Sequence, residues 1–214
     1  MFPRADRKFY WACTGVFFAV VTLPFLWAAR AAGAGYVFGG LLLNPLDGAT
    51  YLAKMYQGWR GDWLFTLPYT AEPGPGAWIN IYYLYLGHLA RLFGLPLPLA
   101  FHLARAAGTL LMVLALARFF AAIFPRRETR RLAFALALFG SGMGWFALLL
   151  GLPQTADFWV AEAYPLLSAY VNPHFPLGLA LVLEAVRRGL PSPPAPLPKG
   201  EGRLTSPPAP LPFG

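Results

Sequence analysis

One cysteine, Cys13, is all the thiol that this chain of 214 residues contains. A lone thiol builds no disulfide framework and no cysteine-based zinc site. Histidine is nearly as scarce, and His88, His102 and His174 are too far apart for a metal-spacing motif. A Gly-rich loop ending in Lys-Ser/Thr is absent, which excludes a P-loop. The largest deficit is charge. Asp, Glu, Lys and Arg make up 12% of the residues, where soluble domains carry about 25%. With 57% hydrophobic residues and a mean hydropathy of +0.51, this argues against a soluble enzyme and against a disordered chain. The class that remains is an all-α, polytopic integral membrane protein. At roughly 20 residues per span, the length allows about three to five membrane helices.

The net charge is +8, carried by 14 Arg and 3 Lys against 9 acidic residues. These cations sit in short clusters beside apolar runs, which is the pattern of membrane orientation rather than of nucleic-acid binding. Residues 9–29 hold 21 positions without a charge, about 31 Å of helix and enough to cross a bilayer. Arg4, Arg7 and Lys8 precede them. The run exceeds the roughly 7–15 residues of a signal-peptide core, so an uncleaved span is expected, with a kink at Pro24.

Further spans are expected over 99–124, 132–152 and 174–188. Arg105 and Arg118 interrupt the second of these. They lie about 20 Å apart along a helix and are expected to snorkel toward opposite faces. Gly140, Ser141, Gly142, Met143 and Gly144 form a small-residue run in the third, which suits close helix packing. Arg126, Arg127, Arg130 and Arg131 crowd one short connection, a cytoplasmic mark. If that connection is inside, 77–94 cannot be a full span. Its Trp78, Tyr82, Tyr83 and Tyr85 fit a juxtamembrane or re-entrant helix. The expected topology is a multi-pass cell-membrane protein with a cytoplasmic N-terminus. Outer loops cover 30–98 and 153–173, and Arg187 and Arg188 lie inside.

Residues 1–189 therefore read as one transmembrane region and 190–214 as a Pro-rich, low-complexity tail, expected to be disordered. Residues 191–214 contain nine of the 22 prolines, and 192–200 recur at 206–214 with one difference in nine positions. Such a tail is a polyproline ligand, a solvated extension, or a translated intergenic repeat standing in place of further spans. The last of these is preferred, and the chain is expected to be the first part of a larger membrane protein.

The first outer loop opens with Asn44, Pro45, Leu46 and Asp47. At about 100° per residue from Asp47, Leu52, Met55, Tyr56 and Trp59 form one apolar face, and Tyr51 and Lys54 fall within about 40° of Asp47. The segment 47–59 is an amphipathic helix expected to lie on the outer membrane surface. Asp47 at its start is either an N-cap or a carboxylate able to take a proton from an acceptor hydroxyl.

Asp47 and Tyr51, followed by Met55, Gly58, Trp59, Trp78, Leu92, Phe93, Gly94 and Arg105 in this order, resemble the first outer loop of the GT-C superfamily. These are membrane glycosyltransferases that use polyprenyl-phosphate sugars, protein O-mannosyltransferases and aminoarabinose transferases among them. The resemblance covers about residues 9–188 and lies in order and spacing rather than in any one motif. It implies sugar transfer from a polyprenyl-phosphate donor to an acceptor on the outer face. Asp47 would be the catalytic base. A second acid would come from the second outer loop, Glu162 in preference to Asp157, and would converge with Asp47. Tyr51, Lys54, Arg105 and His174 would bind substrate, His174 otherwise capping the last helix. The implied partners are membrane lipids and the polyprenyl-phosphate sugar; no cofactor is implied, and a divalent metal stays open. The family's Lys-Pro-Pro-like stretch is replaced by 72–76, Glu-Pro-Gly-Pro-Gly, so no phosphate-binding cation is assigned there. The alternatives are an inactive membrane fragment and a non-enzymatic transporter or structural membrane protein.

Overall fold

The structure is a computed structural model that describes residues 6–152 and 155–190, without the side chains of Trp145 and Asp157. The Pro-rich tail expected over 190–214 lies, beyond Leu190, outside these residues. The described residues are helical, with an isolated bridge between Phe65 and Ala77 and no β-strand. Two long helices carry the architecture. α1 is Arg7–Ala31 and α4 is Leu97–Ile123, of 25 and 27 residues, about 37 and 40 Å long. Among the described residues, these two are long and apolar enough to cross a membrane.

On α1, Tyr10, Thr14, Phe17, Val21 and Phe25 recur every three or four residues and face inward. Trp11, Val16, Val20, Leu23, Leu26 and Trp27 are exposed on its other side. Pro24 sits inside α1 without ending it.

The single span expected over 132–152 is instead two helices, α5 at Arg127–Phe139 and α6 at Gly144–Leu149. The break falls on the small-residue run. Gly costs roughly 1 kcal/mol relative to Ala inside a helix, and three glycines in five positions outweigh the gain of continuing. α5 packs Phe134 and Leu138 into the core, and Phe139 meets Phe17 edge-on at 5.7 Å. At its other end, the basic connection is tied to the N-terminus. Asp6, 2% exposed, accepts from Arg127 and lies 3.7 Å from Arg131, which itself sits 4.4 Å above the Phe9 ring.

α2 is Pro45–Arg60 and α3 is Ile81–Leu92. With 12 residues, α3 is about 18 Å long, short of the ~30 Å hydrocarbon core. The two helices touch backbone to backbone, because Gly58 lies against Leu84 and Gly87 against Met55. This contact decides which face of α2 packs inward. Its buried face is Gly48, Met55, Gln57 and Gly58, while Tyr56 and Trp59 are exposed. Buried Gln57 donates to the Thr66 carbonyl at 2.8 Å and accepts from the Thr66 N–H at 3.1 Å, which fixes the loop after α2.

α7 at Ala156–Trp159, α8 at Pro165–Tyr170 and α9 at His174–Gly189 complete the described residues. The core has two parts joined by α4. One unites α1, α4, α5, α8 and α9 around Phe17, Met112 and Phe134. The other unites α2, α3 and α4 around Met55, Tyr83 and Phe101.

Candidate functional site

α2 begins on Asn44, held in the left-handed region at φ 47°, so Asn44 and not Asp47 occupies the cap position. Asp47 lies in the first helical turn, where the helix dipole favours a carboxylate. Its side chain accepts from Asn172 Nδ2 at 3.3 Å. Asn172 is 1% exposed and lies two residues before α9, so this bond joins the first and last thirds of the chain. His174 is likewise not a cap: Pro173 takes that position and His174 is the first residue of α9.

Asp47 and Glu162 line one cavity of about 220 Å³ together with Asn44 and Asn172. Phe158, Trp159 and Phe175 wall it. Next to Glu162, the Ala161 carbonyl accepts from buried Ser168, which closes the loop before α8. The backbone of Asp157 lies in α7, and its side chain falls outside the described set. The donors and acceptors of two carboxylates and two amides suit a ligand rich in hydroxyls.

Beside the cavity stands an aromatic cluster. Tyr51 stacks on Tyr83 at 4.3 Å, and the Tyr83 hydroxyl lies 2.5 Å from His174 Nδ1. His174 approaches the Tyr51 ring at 5.0 Å, and Lys54 Nζ sits 4.5 Å above that ring from the same helix. Burial raises the Tyr51 pKa, and the Asp47 and Glu162 carboxylates add to it. Burial also pushes Tyr82 up to about 12. Tyr83 is raised further, chiefly by burial, with Tyr51, Tyr82 and Asp47 adding and the His174 backbone N–H opposing. These phenols therefore remain hydrogen-bond donors at neutral pH.

Arg105 is placed elsewhere. It does not snorkel: it is 3% exposed and donates to the carbonyls of Val21 at 3.0 Å and Ala169 at 2.7 Å and to His102 Nδ1 at 3.2 Å. It also packs 4.4 Å from the Phe25 ring. Its bonds to Val21 and Ala169 join α4 to α1 and α8. Arg118 is exposed. The other two histidines are packed. His102 reaches the Gly40 carbonyl at 2.8 Å, and His88 reaches the Asp62 carbonyl at 3.1 Å under the stacked Trp63 ring.

The structure thus gathers Asp47, Glu162, Tyr51, Lys54 and His174 in one region and leaves Arg105 as a buried tie. Asn44, Ser168 and Tyr83 are members of the region that sequence reasoning did not single out. Among the described residues, no three His, Cys, Asp or Glu side chains gather as a metal site. No protein family, no curated protein and no solved structure matches the chain.

Proposed function

We propose that the chain is a multi-pass membrane protein of glycosyltransferase type whose outer site binds the sugar of a polyprenyl-phosphate donor beside an acceptor hydroxyl. The observation that supports this reading is the shared cavity. Asp47 and Glu162 are far apart in sequence and line it together with two amides. In this reading Asp47 takes the acceptor proton, Glu162 and Asn172 hold sugar hydroxyls, and Lys54 and His174 face the lipid phosphate. The long apolar helices and the resemblance in motif order support the membrane setting.

The test is donor binding to the chain in lipid nanodiscs. A polyprenyl-phosphate sugar is expected to bind more tightly than polyprenyl phosphate alone. Losing a charged hydrogen bond costs roughly 1.5–3 kcal/mol, so Glu162→Gln is expected to weaken binding about 10- to 100-fold. Equal affinity for the two lipids, or an unchanged affinity in the variant, would overturn the reading.

The topology has its own check. With Cys13→Ser as background, Gly74→Cys is expected to react with an impermeant thiol reagent added outside, and Thr129→Cys is not. Gly74 belongs to the loop between α2 and α3, and Thr129 to the basic start of α5. Outside labelling at position 129 would refute the proposed orientation.

A further inference from the structure

Resting on the reading above, in which His174 contacts substrate, we infer that Tyr83 is a positioning residue that locks His174 as the Nε2–H tautomer. The site then presents a fixed donor, suited to an anionic oxygen such as a phosphate oxygen. The Tyr83 hydroxyl and His174 Nδ1 are 2.5 Å apart, so one of the two atoms carries the shared proton. The surroundings decide which. Tyr83 is 3% exposed, and its ring is covered by Tyr51 on one face and met edge-on by Tyr82. A buried hydroxyl has one proton to place. Among the described residues, Nδ1 is the side-chain acceptor within its reach. Nδ1 must then be the unprotonated nitrogen, and a neutral imidazole with an acceptor at Nδ1 carries its proton on Nε2.

This has a consequence for the chemistry. An imidazole locked this way has no free lone pair and cannot act as the general base. Proton removal is left to the carboxylates of Asp47 and Glu162, and His174 acts only as a donor. Tyr83 also belongs to α3, whereas His174 opens α9. The tautomer is therefore set by how α3 meets α9 and not by the α9 sequence.

The experiment is nitrogen NMR of the full chain with 15N-labelled histidine, in nanodiscs, at a pH where the imidazole is neutral. His174→Gln identifies the resonances. In the unmodified chain, Nε2 is expected to show the protonated, pyrrole-like shift and Nδ1 the pyridine-like shift. Tyr83→Phe keeps the ring against Tyr51 and removes only the hydroxyl. It is expected to convert the pair into a tautomer average, while circular dichroism shows helix content unchanged. A protonated Nδ1 in the unmodified chain overturns the inference without need of any variant. So does a Tyr83→Phe spectrum identical to the parent's. Neither readout depends on sugar binding. A chain with no affinity for the donor lipid removes the functional reading and leaves the tautomer result standing.

Discussion

Gly87→Ala is expected to destabilise the protein by about 2–3 kcal/mol, in the range measured for overpacked sites. A Cβ at position 87 would lie 1.9 Å from the Met55 carbonyl oxygen and 2.7 Å from the Trp59 nitrogen. Both are backbone atoms of α2, so no side chain can rotate out of the way. The exchange also favours helix by roughly 1 kcal/mol, and the clash must exceed that. Gly58→Ala meets the Leu84 carbonyl oxygen at 2.0 Å and is expected to behave alike. The proper control is Gly15→Ala in α1 or Gly178→Ala in α9, where a Cβ meets nothing within 4 Å. Those two are expected to be neutral or stabilising. Denaturant unfolding in mixed micelles, followed by circular dichroism, separates the two outcomes. Equal midpoints for Gly87→Ala and Gly15→Ala would show that α2 and α3 are not in backbone contact.

Arg105→Met is expected to cost about 3 kcal/mol. Two effects oppose each other. Burying a guanidinium is costly, and replacing a buried ion pair with apolar groups is often neutral or better. Here the partners are not a removable carboxylate. They are the Val21 and Ala169 carbonyls, which stay behind when the cation goes. Each abandoned buried acceptor costs roughly 1–3 kcal/mol, so loss outweighs relief. Ala169 is also in the last turn of α8, where a cation complements the exposed carbonyls. Arg105→Lys is expected to recover only part of the stability, because one ammonium cannot fork toward two helices and His102 together. Unfolding midpoints of the three proteins decide this, and an Arg105→Met chain as stable as the parent would refute it.

The same residues show what the sequence makes legible. The positions of α1 and α4 follow from the length and apolarity of their runs, because both are properties of composition. The break between α5 and α6 escapes such a test. A hydropathy average treats Gly140 to Gly144 as mildly apolar and ignores their backbone entropy. The contact between α2 and α3 escapes it for a related reason. A helical wheel ranks side chains by polarity, so Gly58 and Gly87 score as nothing, yet their missing Cβ atoms decide which faces meet. Arg105 looked like a snorkelling charge because its partners are carbonyls, which every residue has. At the cavity, Asp47 and Glu162 could be named as candidates from residue type and loop. Asn172 and Tyr83 act through contacts made across the fold, and their local sequence carries no mark of it.

The tie between Asp6 and Arg127 spans 121 positions of chain, and this sets an order in time. A ribosome adds roughly 5–20 residues per second. After Asp6 is made, its partner follows about 6–24 s later at that rate. Throughout that interval α1 exists while its buried carboxylate has neither Arg127 nor Arg131 to meet. α1 must therefore be accommodated first with Asp6 still in water, and the N-terminal end can close only once the start of α5 has been synthesised. Assembly of this end therefore waits for residues that are synthesised well after α1.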